Sequence, residues 1–231
     1  MEAIILAGGL GTRLASRLNG IPKPMVPVAG RPFLEILLSR LSQGGCTHVL
    51  LSVGHLHTAI QQRFGTAFRG MSVDYVIEDA PLGTGGALRK ALNHASEEAV
   101  LVLNGDTFLE IDYAAMLQFH NDQAALLTLA ITAQADIARY GEVVFSAAHI
   151  LGFREKDRSG PGWINGGVYA INRNIHWPTR LTERFSFERD FLVQELPQLA
   201  PRAYCVEGFF LDIGVPEDLD RAQTELAGEA I

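Results

Sequence analysis

A lysine held between two prolines, Pro22-Lys23-Pro24, lies ten residues after Arg13, which sits in the glycine-rich stretch Gly8-Gly9-Leu10-Gly11-Thr12-Arg13. Glycines turn a backbone sharply and present its N–H groups to a ligand with no Cβ in the way. Prolines fix φ and strip conformational freedom, so the lysine is aimed in one direction. Two placed cations suit a triphosphate, whose charge must be neutralised at defined points. A rigid surface loop with a solvated lysine accounts for the prolines but not for their company. Two aspartates supply the opposite charge, each at the end of an apolar run: VLVLNGD ends at Asp106, and FFLDIG places Asp212. Phosphoryl and nucleotidyl transfer use a hard divalent cation held by one or two carboxylates plus phosphate oxygens, which makes Asp106 and Asp212 the candidate pair for Mg2+. Either aspartate alone could equally cap a turn; beside the loop, the pair points to a metal.

These groups need elements to hold them. Short apolar runs at residues 3–6, 48–53, 73–77, 100–103, 126–131, 143–145, 167–171 and 202–206 predict strands. Several are continuous rather than alternating, as expected for strands covered on both faces. Helical spacing predicts helices over 32–43, 56–64, 85–95, 113–122, 188–199 and 216–226, with Pro32 and Pro216 in first-turn positions. Strands alternating with helices imply right-handed βα units, hence an α/β fold with a mixed, mainly parallel sheet flanked by helices. Antiparallel additions are expected after residue 124. No linker, charge block or repeat divides the chain, so residues 1–231 are read as one domain.

The chain has 231 residues, 48% of them hydrophobic and 19% charged, enough apolar material for a large core and too much for intrinsic disorder. Its formal net charge of −7 gives no field for gripping nucleic acid, so anions must be met by a few local cations. The longest weakly polar run is too short for a membrane span, and a soluble cytoplasmic protein is expected. Cys46 and Cys205 cannot form a disulfide scaffold or a four-thiolate zinc site, and are expected in the core. The seven histidines show no supported metal spacing, although His55 and His57 lie near a strand end.

The loop from Leu6 and Ala7 through Gly8, Gly9, Gly11, Thr12 and Arg13 fails two familiar patterns. A P-loop requires Gly-Lys-Ser/Thr where this chain has Gly-Thr-Arg, and the dinucleotide fingerprint requires a third glycine where Leu14 stands. LAGGLGTRL followed by PKPMVPVAGRPFLE instead closely resembles the signature of the sugar-1-phosphate nucleotidylyltransferases, and the resemblance runs along nearly the whole chain.

That resemblance implies the Rossmann-like fold of the nucleotide-diphospho-sugar transferases, with Arg13 and Lys23 on the triphosphate and Mg2+ on Asp106 and Asp212. In FREKD it implies Lys156 as the grip on the incoming sugar phosphate, with Glu155 accepting from sugar hydroxyls; relatives often carry proline where this chain has Asp157. NGD adds Gly105, and INGGVY adds Asn165 and Gly166 as sugar contacts, a plain turn being the competing account. In SFERD, Glu188 and Asp190 either reach the sugar or simply start a helix. DAPLGTGGAL, with Pro81, Gly83, Thr84 and Gly85 facing the nucleotide, resembles guanylyl-transferring members.

The short chain, LASRLNGIPKPM, INGGVY and SFERD most resemble the D-glycero-α-D-manno-heptose 1-phosphate guanylyltransferase branch. The implied partners are GTP and a sugar 1-phosphate, with neither nucleic acid nor membrane, and a homo-oligomer allowed. The alternatives are a mannose 1-phosphate guanylyltransferase, a uridylyltransferase for another sugar 1-phosphate, a nucleotide-sugar-dependent glycosyltransferase, and a non-catalytic nucleotide-sugar sensor.

Overall fold

In the computed structural model, residues 1–9, 14, 18, 20–154 and 159–228 are described. Along the chain run β1 (Glu2–Leu6), β2 (Pro27–Val28), β3 (Arg31–Pro32), α1 (Phe33–Gln43), β4 (His48–Val53), α2 (His57–Phe64), β5 (Ala67–Phe68), β6 (Met71–Ile77), α3 (Gly83–Leu92), β7 (Ala99–Asn104) and β8 (Thr107–Leu109). They are followed by α4 (Tyr113–Asp122), β9 (Leu127–Gln134), β10 (Glu142–Ser146), β11 (His149–Arg154), β12 (Gly162–Asn172), α5 (Leu196–Leu199), β13 (Arg202–Val206), β14 (Phe210–Asp212) and α6 (Pro216–Glu225).

Among the described residues, ten strands share one sheet in the order β10-β11-β13-β9-β12-β7-β1-β4-β6-β5. The block β7-β1-β4-β6 is parallel, as the βα alternation predicts, and β13 runs parallel to β9. β12 enters antiparallel between β7 and β9, and the later strands complete a mixed sheet. Because β4 and β6 lie on one side of β1 and β7 on the other, the strand order reverses at β1. The loops leaving β1 and β7 therefore part there and open a crevice at the carboxyl ends of the strands.

The continuous apolar strands are explained by cores on both faces. Along β1, Ala3 and Ile5 pack into one core with α1, α4 and α6, while Ile4 packs into the other with α3. Outside the main sheet, β14 pairs antiparallel with β8 and sets Asp212 opposite Thr107, next to Asp106. The last helix also clasps the N-terminal hairpin: the Gln223 side chain accepts from Ala29 N at 2.9 Å and donates to Pro27 O at 2.8 Å.

Some expectations need correction. The helix predicted over 188–199 is a π-helical turn, Phe187–Leu192, followed by the short α5. Val193 N bonds back to Glu188 O at 2.9 Å, and Pro197 has no N–H to continue a longer helix. Cys46 is buried as expected, but Cys205 is exposed even though it shares a face of β13 with buried Ala203, because the cover over that face stops short of it. β2, β3, β5, β8, β11 and β14 were not foreseen, and Pro32, expected in the first turn of a helix, ends β3 just before α1; each of these strands is short or carries mixed polarity. Among the described residues no helix is long and apolar enough to cross a membrane.

Candidate active site

The loops that part at β1 and β7 border a cavity of about 370 Å3. Leu6, Ala7 and Gly9 line it from the first loop, Gly105 and Asp106 from the second, and Asp212 from β14. The two loops are stitched together, since Gly105 N donates to Leu6 O at 3.0 Å. A Cβ on residue 105 would lie 2.6 Å from that same carbonyl, so only glycine lets the second loop pass so close.

Lys23 stands in a 3-10 turn, Lys23–Met25, begun by Pro22 and continued by Pro24. Its ammonium enters the cavity and meets Asp106 Oδ2 at 2.5 Å, with the lysine side chain 9% and the aspartate 37% exposed. The proline-fixed lysine and the strand-end aspartate thus meet although 83 residues separate them.

Asp212 reaches the same cavity by another route. The β8–β14 pairing is reinforced by Ile213 N donating to the Asp106 carbonyl at 3.0 Å. Gly214 leaves the space beside Asp212 open: a Cβ there would come within 2.9 Å of Asp212 Oδ1. The two carboxylates are hard oxygen donors facing one cavity. No cluster of three or more metal-binding side chains occurs among the described residues. A donor set this small suits Mg2+, which keeps several positions for water and phosphate oxygen.

The opposite wall comes from β12 and the π-helical turn. β12 shifts register against β9 between Asn165 and Tyr169, with Gly167 at φ 72°. This bulge brings Asn165 and Tyr169 together: Asn165 Nδ2 donates to Tyr169 Oη at 2.7 Å and to Glu188 Oε1 at 2.9 Å. Tyr169 Oη donates to the same Glu188 oxygen at 2.9 Å. Tyr169 is 1% exposed, and burial first, then the Glu188 carboxylate, raise its phenol well above the usual 10.0. Glu188 is left as an acceptor on the cavity wall, suited to hydroxyl groups.

Other expected site residues are placed differently. Asp190 spends its carboxylate on its own turn, accepting from Ser186 N at 2.7 Å and from Arg189, and it does not line the cavity. Thr84 does line it, and its hydroxyl accepts from Phe187 N at 3.0 Å. Gly83 and Gly85 meet Phe185 instead: added Cβ atoms would lie 2.6 Å from its carbonyl oxygen and 2.2 Å from its ring. A Cβ on Gly166 would meet Leu109 at 2.8 Å. Gly8 and Pro81 line a second depression on the far side of the first loop, with His55, His57 and Glu78. Gly11, Thr12, Arg13, Glu155 and Lys156 lie outside the described residues. Tyr140 and Gly141, not singled out in the sequence, line the cavity from the turn before β10; an aromatic-glycine pair entering a strand is a weak signal. Tyr169 stood in plain view as the end of INGGVY, but its role depends on the bulge.

A family model described as nucleotidyl transferase matches residues 2–229. The chain belongs to that family. Among nucleotidyl transferases, a D-glycero-α-D-manno-heptose 1-phosphate guanylyltransferase from Aneurinibacillus thermoaerophilus is 43% identical over 226 residues, covering 98% of each chain. The crystal structure of HddC from Yersinia pseudotuberculosis, complexed with GMP-PN, superposes with a TM-score of 0.85 at 35% identity, covering 97% of this chain and 99% of that one. UDP-glucose pyrophosphorylase from Acinetobacter baumanii shares the fold at TM-score 0.81 and 19% identity, over 98% and 93% of the two chains.

Proposed function

We propose that the chain transfers a guanylyl group from GTP to D-glycero-α-D-manno-heptose 1-phosphate, giving the GDP-sugar and pyrophosphate. The observation that carries this reading is the meeting of Lys23, Asp106 and Asp212 around one cavity at the sheet's switch point. The acceptor is supported by the 43% identity to a heptose 1-phosphate guanylyltransferase over 98% of both chains. The guanine base is supported by that relative and by the GMP-PN complex of HddC.

An acceptor phosphate oxygen attacks the α-phosphorus; that P–O bond forms as the bond to the β-phosphate bridge breaks, and pyrophosphate leaves. A phosphate monoester loses its second proton near pH 6, so no general base is required. The obstacle is repulsion between two polyanions, and placing them in line while neutralising charge lowers the barrier. Lys23 and Arg13 hold the triphosphate and Lys156 holds the acceptor phosphate, while Asn165, Glu188 and Glu155 accept or donate to sugar hydroxyls. Asp106 and Asp212 would hold Mg2+, which supplies charge neutralisation at the α-phosphate. We read residues 1–231 as one unit acting in the cytoplasm, where GTP is available.

Pyrophosphate release, measured with four nucleoside triphosphates against several sugar 1-phosphates, tests the reading. The GTP and heptose 1-phosphate pair should give the highest kcat/KM. Release of a nucleoside diphosphate without pyrophosphate would instead show a glycosyltransferase. Asp106→Ala should lower kcat by roughly 10²-fold or more, whereas Lys156→Ala should mainly raise KM for the sugar phosphate. Full activity in both variants would overturn the assignments.

A further inference from the structure

Lys23 enters the cavity as a buried cation, and the place it takes there conflicts with the work the cavity requires. Its side chain is 9% exposed, and among the described residues its ammonium makes one hydrogen bond, to Asp106 Oδ2 at 2.5 Å. The other oxygen of that carboxylate is more loosely held, accepting from Thr107 Oγ1 at 3.4 Å. Lys23, Asp106 and Thr107 all line the same cavity.

Two cations therefore seek one oxygen. A divalent ion takes carboxylate oxygens as hard donors, and the ammonium already sits on Oδ2 at the distance of a charge-assisted hydrogen bond. Sharing the oxygen would set an ammonium beside a divalent ion, a like-charge contact in a partly buried site. The lysine backbone cannot move aside to relieve it. Pro22 and Pro24 flank the residue, and its turn is closed by Met25 N donating to Pro22 O at 2.8 Å and Val26 N donating to Lys23 O at 3.1 Å. Only the side-chain torsions remain. A buried ammonium without an anion is costly, so it leaves Asp106 only when another anion comes within reach of the same side chain. In this cavity a triphosphate is that anion.

We propose that Lys23 covers the metal-holding oxygen of Asp106 until a nucleoside triphosphate takes the ammonium, so that the divalent ion is admitted with the triphosphate and not before it. This rests on the reading of Asp106 as a metal-holding group and of Lys23 as a triphosphate contact. The one side chain thus opposes the ion in the free protein, and supports it in the nucleotide complex by anchoring the phosphates that share the ion. A lysine acting only through its general field would oppose the ion in both states.

The test is Mn2+ binding to the full chain, read from water-proton relaxation, which separates protein-bound Mn2+ from Mn2+ on free nucleotide. It is made with the protein alone and with a saturating GTP analogue whose α–β bridge is carbon and cannot be cleaved. Lys23→Met should tighten Mn2+ binding to the free protein about fivefold, the upper end for removing a partly exposed ion pair. In the analogue complex the variant should bind Mn2+ no tighter than the unmodified protein. Unchanged or weaker binding to the free variant, or tightening in the analogue complex as well, would overturn the proposal. If Lys23→Met does not fold, Lys23→Gln, shorter and uncharged, is judged by the same pair of measurements. Asp106→Asn separates the underlying reading, because unaltered Mn2+ binding in its analogue complex would remove Asp106 from the metal site whatever Lys23 does. A loss there, with no tightening in free Lys23→Met, would leave the metal site standing and overturn only the cover.

Discussion

The wall facing the two aspartates is set by a single oxygen, Glu188 Oε1, which accepts from both Asn165 and Tyr169. Those two donors fix the carboxylate's orientation, so Glu188 meets the acceptor sugar already aimed. Tyr169→Phe removes one donor, a net loss of about 0.5–1.5 kcal/mol. Steady-state kinetics should show KM for the sugar phosphate rising roughly 2- to 10-fold by the same arithmetic, with KM for GTP unmoved. An unchanged sugar KM would place Glu188 away from the acceptor. The aspartates and Lys23 were legible in the sequence only through their company: each alone has a plain structural use, a turn cap or a solvated loop, but together beside a glycine-rich loop they point to one anionic ligand. The triad of Asn165, Tyr169 and Glu188 was only half legible. All three stood in quoted motifs, but only Asn165 and Glu188 were singled out, and a two-residue register shift in β12 decides that they face one another. Asp190 could not be told from Glu188 by type, because a helix start and a sugar contact call for the same carboxylate.

At the scale of elements, the start of α3 is zipped to residues 185–187, the strip that leads into Glu188. Gly85 N donates to Phe185 O, Phe185 N donates to Leu82 O, and Phe187 N donates to Thr84 Oγ1, each at 3.0 Å. The run Gly83-Thr84-Gly85-Gly86 resembles a nucleotide-facing loop in sequence, and in the structure its glycines permit this close approach. Gly83 has φ 70° and its missing Cβ would strike the Phe185 carbonyl, so Gly83→Ala adds strain and overlap together. A cost of about 1–3 kcal/mol is expected, read by calorimetry as a drop of roughly 2–4 °C in Tm per kcal/mol for a chain of this size. Because the displaced strip carries Glu188, KM for the sugar phosphate should suffer more than KM for GTP. The opposite order would return the glycines to the nucleotide. Glycine is ambiguous in sequence for this reason: a ligand and a neighbouring backbone both need the same empty space.

Over the whole molecule, pH should bracket stability from two sides. His120 is buried on Thr128 Oγ1, and burial holds its imidazole below the ordinary 6.5. Below that pH the unfolded chain takes up a proton that the folded chain refuses, so stability present above 6.5 is lost as pH falls. Tyr169 lies well above 10.0, mainly through burial, and Tyr140 is raised by the same cause against the pull of Arg139. Above 10.0 the unfolded chain releases protons that the folded chain retains, so stability present below that pH is lost as it rises. Urea midpoints recorded from acid to alkaline pH should fall on both flanks, less steeply at high pH in Tyr169→Phe and at low pH in His120→Gln. Equal alkaline slopes with and without the phenol would count against this account.

The sheet's parallel block was legible across the whole molecule from the alternation of strands and helices. The pairing of β8 with β14 was not, since nothing local to three-residue strands reveals a partner a hundred positions away. That remoteness has a kinetic side. The clasp between Gln223 and Pro27 spans 196 residues, so it waits upon one of the costliest loop closures among the described contacts. A refolding molecule would thus seat its last helix on the hairpin that follows Lys23 only after the shorter closures of the sheet had formed.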